Sequence, residues 1–144
     1  MTFSLVARCS ETGMFGIAVS SSSPAVAARC AYAQASVGAV ASQNITDPAL
    51  GTRTLELMQR GATAGQAIDI ITSSTEFIQY RQVLAVDASG QTAIHSGPES
   101  LGIFAQAQGE NVASGGNLLA NENVPAAIVD AFVNSSGHLG DRLN

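Results

Sequence analysis

Thr2 has the clearest route to chemistry in this chain of 144 residues, because it stands directly behind a removable initiator, Met1. Once that methionine leaves, the threonine carries its own general base, an α-amino group with a pKa near ~8 beside the hydroxyl it must deprotonate. Many chains begin Met-Thr, so the dipeptide alone is also an ordinary chain start. The other reactive side chains carry less. Cys9 and Cys30 lack CxxC spacing and have no histidine near them in sequence, which argues against a metal centre or a thioredoxin-like pair. Their apolar, small-residue surroundings mark them as inert buried thiols. His95, between Ile94 and Ser96, faces opposite to both along a strand, and His138 lies in a turn beside Gly137. No ordered Ser-His-Asp set is suggested, so both histidines are assigned structural or solvent-exposed roles.

Positioning Thr2 falls to the stretch Met1 to Ser23. Phe3, Leu5 and Ala7 alternate with Ser4, Val6 and Arg8, and Met14, Gly16 and Ala18 alternate with Phe15, Ile17 and Val19. The polar Ser10-Glu11-Thr12-Gly13 break between them predicts a hairpin whose first strand starts at Thr2 and holds it rigidly. Ser20 to Ser23 with Pro24 end the second strand. Ala25 to Tyr32 suits a short helix or an extended crossing segment, and Ala35 to Gln43 a third strand lying close to a neighbouring layer. Thr46-Asp47-Pro48 opens a helix with Leu50, Leu55, Leu57 and Met58 on its apolar face and Gly61 as its stop. Thr63 opens a second, with Ala64, Ala67, Ile68 and Ile71 as its stripe, and the two form an antiparallel outer layer.

Tyr80–Asp87 and Gln91–Gly97, joined through Ala88-Ser89-Gly90, make the clearest hairpin in the sequence. Extended stretches follow at Ile103–Ala107 and Glu110–Ser114, then a turn at Gly115-Gly116-Asn117, a helix over Val124–Val133 and the opening of another within Gly137–Asn144. Strands, two helices, strands and a helix lack the alternation of a parallel doubly wound sheet. The expectation is one α+β domain over residues 1–144, with helices on one face and sheets meeting through small residues.

Composition narrows the function classes. The chain is 46% hydrophobic and 12% charged, rich in alanine, glycine and serine, and without tryptophan, which supplies ample apolar material for one core. Its net charge of −5 includes six arginines and no lysine, so there is no cationic stripe for nucleic acid. No apolar run reaches the ~18 residues of a spanning helix, and no basic-then-apolar leader opens the chain. The default expectation is a cytoplasmic protein with no membrane contact.

The blocks MTFSLVAR, ETG with GIAVSS, VGAVASQN, the Pro48 to Gly61 helix, YRQVLAVDASGQ and GGNLLA with its alanine-rich helix together resemble the family called domain of unknown function 1028. The resemblance runs in order over essentially the whole chain. It implies kinship with N-terminal nucleophile hydrolases and hence a four-layer αββα sandwich with the nucleophile at Thr2. The oxyanion of such a reaction needs preorganised donors. Candidates are the side chains of Gln43 or Asn44, and Asn117 with the backbone N–H groups of Gly115 and Gly116; ordinary turn chemistry accounts for the same residue types. With no lysine present, Arg29, or Arg8 on the first strand, would supply the positive field, although arginine cannot shuttle a proton.

The implied activity is hydrolysis of a small amide or short peptide-like substrate through an acyl-enzyme, without metal or organic cofactor. The rival is a non-catalytic binding or assembly module on the same fold. The resemblance also implies a further helix and at least two strands beyond Asn144. The sheet is therefore expected to be completed by a missing C-terminal segment, a second chain or another copy. Cleavage after Asn144 would alternatively put the nucleophile at the start of that second chain.

Overall fold

In a computed structural model, which describes residues Met1–Asn144, two four-stranded antiparallel sheets lie face to face. The first is built on the predicted hairpin, β1 (Thr2–Arg8) against β2 (Phe15–Ser21), in a register that sets Thr2 opposite Ser21 and Arg8 opposite Phe15. Gly13, at φ 73°, closes the turn, where Cys9 and Met14 share a backbone bond of 2.8 Å. On its other side β1 pairs with β8 (Val112–Asn117), which pairs in turn with β7 (Ala105–Gly109).

The second sheet takes its strands in sequence order: β3 (Ala31–Gln34), β4 (Gly38–Asn44), β5 (Arg81–Asp87) and β6 (Thr92–Ser96). Asp87 organises its tightest corner. The Asp87 carboxylate accepts from the N–H groups of Ser89 and Gln91 in the β5–β6 turn, and from Ala64 at the start of a helix.

That helix is α3 (Ala64–Ser74), opened by a reciprocal capping box between Thr63 and Gln66. Before it comes α2 (Ala49–Gln59), where the Asp47 carboxylate accepts from Ala49 N–H at 3.0 Å. Leu50, Leu55, Met58, Ile68 and Ile71 of this pair pack on Val40 and Val83 of the second sheet's outer face. The outer face of the first sheet, Leu5, Ala7 and Val112, is covered by Val129 and Phe132 of α4 (Val124–Asn134) and Leu139 of α5 (Leu139–Arg142). Helices therefore lie outside both sheets and not on one face alone, because each sheet's outward positions are apolar and must be covered. Between the sheets Ala39, Ala41 and Ala113 meet Val6, Leu84 and Val86, the small-residue contact that the composition implied.

Three local expectations change. Ala25–Tyr32 divides into a four-residue helix, α1 (Ala27–Cys30), and the start of β3, and the third strand breaks at Ser36, whose φ of 63° turns the chain from β3 into β4. The two later strands begin two residues further along than their composition indicates, and the second ends three further, at Asn117. Consequently Gly115, Gly116 and Asn117 are not a turn but the end of the interior strand β8, and the chain reverses at Leu118, φ 50°. Glycine serves close approach here: a Cβ on Gly116 would stand 3.0 Å from the Thr2 carbonyl oxygen and 2.6 Å from Leu119.

Candidate functional site

Alternation along each strand fixes which residues face the gap between the sheets. Val6, Ser4 and Thr2 face it on β1, Ala113, Gly115 and Asn117 on β8, Ala39, Ala41 and Gln43 on β4, and Val86, Leu84 and Gln82 on β5. Every series runs from apolar to polar toward the same end. Because neighbouring strands are antiparallel, β1 starts where β8 stops and β4 stops where β5 starts, so this polar end collects residues far apart in sequence.

A buried amide network ties the two sheets together there. Gln43 Nε2 donates to Gln82 Oε1 and to the Gly115 carbonyl, both at 3.0 Å. Gln82 Nε2 donates to Ser96 Oγ at 3.0 Å and to the Gly116 carbonyl at 3.1 Å, while Asn117 Nδ2 donates to Gln82 Oε1 at 3.2 Å. Counting donors, both amide hydrogens of Gln43 and both of Gln82 are committed. Asn117, only 3% exposed, spends one N–H on Gln82 and keeps its second N–H and its Oδ1 without a protein partner. Ser4 Oγ, buried beside this network, has no partner either.

Thr2 sits across from Asn117 in the β1–β8 register, and its hydroxyl lies 2.7 Å from Ser21 Oγ. Ser21 and Ser22 also embrace the residue before it. The Met1 carbonyl accepts from Ser22 N–H at 3.0 Å, Ser21 Oγ at 3.2 Å and Ser22 Oγ at 3.4 Å. With Met1 attached, the nitrogen of Thr2 is a peptide amide and has no basicity to offer.

The remaining expected residues divide. Gly115 and Gly116 lie between β1 and β7, so their N–H groups run in the plane of a ladder. Asn44, at φ 70°, holds two loops, donating to the Tyr80 carbonyl and accepting from Leu101 N–H. Arg29 Nη1 donates to the Pro24 and Ala25 carbonyls of its own loop. Arg8 bonds Asn111 at the opposite end of β1, about 20 Å from Thr2 at the usual strand rise, too far to set the field at the threonine. Cys30 is buried between the sheets with Sγ 3.9 Å from Gln43 Oε1, and burial pushes its thiol up to about 11. His95 Nε2 meets the Ile78 carbonyl, and His138 Nδ1 accepts from Gly140 N–H to cap α5, both structural contacts.

Sequence reasoning missed Ser21, Gln82 and Ser96. Ser21 was within reach, since the turn centred on residues 11 and 12 pairs positions summing to 23. Gln82 is the polar residue on an inward face otherwise made of Leu84 and Val86, but its partners lie on other elements.

Residues 2–144 match the family of unknown function DUF1028. The chain belongs to that family. It is similar to the crystal structure of protein SPO2555 from Silicibacter pomeroyi, also assigned to DUF1028, with 29% identity and a TM-score of 0.94. The alignment covers 99% of this DUF1028 chain and 66% of that one, so the chain spans just under two thirds of the relative's length. No curated protein matches it.

A cavity of about 470 Å³ in this DUF1028 chain lies apart from the amide network, between the outer face of β1–β2 and α4–α5. Phe3, Leu5, Ile128 and Phe132 make it apolar. Its arginine, Arg142, donates to the Phe132 carbonyl and to Ser135 Oγ and lies 4.1 Å over the Phe132 ring, and its other polar side chains, Ser20, Asp141 and Asn144 among them, join no buried network linking the two sheets. The polar end between the sheets is therefore the better candidate site. No helix is long and apolar enough to cross a membrane.

Proposed function

We propose that this DUF1028 chain hydrolyses an amide bond in a small or short peptide-like substrate, with Thr2 as nucleophile after Met1 is removed. The two sheets and their outer helices are read as the αββα sandwich of the N-terminal nucleophile hydrolases. The observation that carries the proposal is the setting of Thr2. It is the first residue of an interior strand, opens on the polar end between the sheets, and has its hydroxyl 2.7 Å from a second hydroxyl, Ser21.

In the reaction, the freed α-amino group takes the Thr2 hydroxyl proton as Oγ1 attacks the substrate carbonyl carbon, and Ser21 orients the hydroxyl. The uncommitted N–H of Asn117 donates to the developing oxyanion. Collapse breaks the C–N bond, the proton passes to the leaving amine, and water then cleaves the Thr2 ester. Gln43 and Gln82 act one step removed, by fixing the Asn117 amide.

A non-catalytic binding or assembly role draws support from one feature: Met1 is itself held by three donors to its carbonyl. The proposal includes a second chain or another copy along an open sheet edge, of which β2, β7, β3 and β6 are the candidates. Intact mass and turnover of acyl anilides on the same preparation test the main reading. A chain beginning at Thr2 is expected, with Thr2→Ala lowering turnover at least ~10³-fold at unchanged circular dichroism. Turnover by protein that uniformly retains Met1 would sink it.

A further inference from the structure

Four chain segments border the polar end, joined in a row by hydrogen bonds, and the Asn117 Nδ2 bond to Gln82 Oε1, one residue inside, links the two ends of the row. Leu118 N–H donates to the Leu101 carbonyl at 2.8 Å, and Leu101 N–H donates to Asn44 Oδ1 at 3.2 Å. Asn44 Nδ2 donates to the Tyr80 carbonyl, and Arg81 returns a guanidinium bond to the Ile45 carbonyl. Three of the four segments are continuous with a site residue, since Leu118 follows Asn117, Asn44 follows Gln43 and Arg81 precedes Gln82, and the fourth, at Leu101, is hydrogen-bonded to two of them. These segments therefore form the rim of the candidate site.

This rim is apolar. Ile45, Tyr80, Leu101 and Leu118 belong to its four segments and are 37% to 47% exposed, a large share of the ten large hydrophobic side chains that the molecule leaves in solvent. Left-handed backbone at Asn44 (φ 70°), Leu118 (φ 50°) and Gly102 (φ 62°) sets the segments that carry them. A non-glycine residue in that region has a conformational cost, so an exposed leucine there costs stability twice, in backbone and in solvation. A polar, partly unpaired amide deep in the gap with an apolar collar outside matches an amphiphile whose amide group enters first.

We infer that the substrate of this site is an amide with an extended apolar substituent, such as a medium-chain acyl amide, whose hydrocarbon lies on the collar of Ile45, Tyr80, Leu101 and Leu118. The inference rests on the amide-hydrolase reading for the chemistry but not for the binding. Two measurements keep them apart. In the first, acetamide, butyramide, hexanamide and octanamide are titrated against the protein with its leucine and isoleucine methyl groups observed by NMR. Affinity should rise about fourfold per added methylene until the collar is covered, with responses at Leu101 and Leu118. Leu118→Ser, or Leu101→Ser should the first variant misfold, should flatten the series, so that octanamide binds no more tightly than butyramide.

In the second, the matching acyl p-nitroanilides are assayed for hydrolysis. Chain-length-dependent binding at the collar without hydrolysis supports the inference and removes the hydrolase reading. Hydrolysis that is indifferent to chain length, or methyl responses confined to the Phe3–Leu5 cavity, overturns the inference and leaves the hydrolase standing. A fall in sedimentation coefficient on Leu118→Ser, with no methyl response to octanamide, would make the collar an interface between copies and overturn it too.

Discussion

Gln82 makes four hydrogen bonds with a single side-chain amide, and all four reach other elements. Replacing it with leucine keeps the volume but leaves Gln43, Asn117, Ser96 and the Gly116 carbonyl each short of a partner. Buried polar groups left unpaired cost ~1–3 kcal/mol apiece and are not additive, so Gln82→Leu should lower stability by about 3 kcal/mol. Urea titration would show it as a lower midpoint, and a midpoint within error of wild type would mean that water replaces the amide. Cys30 makes a second residue-scale prediction. Burial raises its thiol from 9.0 to about 11, so below pH 9 it is neutral whether the chain is folded or unfolded. Between pH 9 and 11 only the unfolded chain releases the proton, and stability falls by up to about 3 kcal/mol across that window. Cys30→Ala should remove that part of the alkaline loss, read from thermal melts between pH 8 and 11.

At the scale of elements, α2 lies against the second sheet only because Gly51 has no side chain. A Cβ at Gly51 would fall on the ring of Tyr32 in β3, and one at Gly38 would stand 2.5 Å from the Val86 carbonyl and 2.7 Å from Met58. Overpacking of this kind usually costs ~1–3 kcal/mol. Gly51→Ala should fall in that range, and a double-mutant cycle with Tyr32→Leu should recover more than half of the loss, because the clash is with the ring alone. If the two changes add independently, α2 relieves the clash by shifting as a body. Gly61, the helix stop at φ 102°, meets nothing within 4 Å, so substitution there acts through backbone strain instead.

Across the whole molecule the two sheets differ in how far the chain must reach to build them. The second sheet pairs strands that are neighbours in sequence, whereas the first closes only when β8 returns to β1, as in the Ser114 Oγ bond to the Ser4 carbonyl across 110 positions. Loop-closure entropy penalises the distant pairing and slows it. Pulse-labelled hydrogen exchange during refolding should therefore protect β5 and β6 before β1 and β8. Simultaneous protection of all four would show that the inter-sheet layer, and not the local hairpin, nucleates folding.

The sequence by itself determined the pieces whose causes are local. Gly13 closes the first hairpin, Thr63 with Gln66 starts α3, Gly61 ends α2, and the alternation of Arg81–Asp87 against Thr92–Ser96 makes a hairpin, since each depends on residues a few positions apart. It also placed Thr2 at the head of a strand and set the layer contacts as small. Tertiary structure alone decided that Gly115-Gly116-Asn117 is strand, because glycine and asparagine favour turns locally and become strand only where β1 and β7 offer ladders on both sides. The same holds for the site. Gln43, Gln82 and Asn117 are unremarkable polar residues along the chain, and they become a network because two separately formed sheets bring their polar ends together, where a buried amide must find its partner on the opposite sheet.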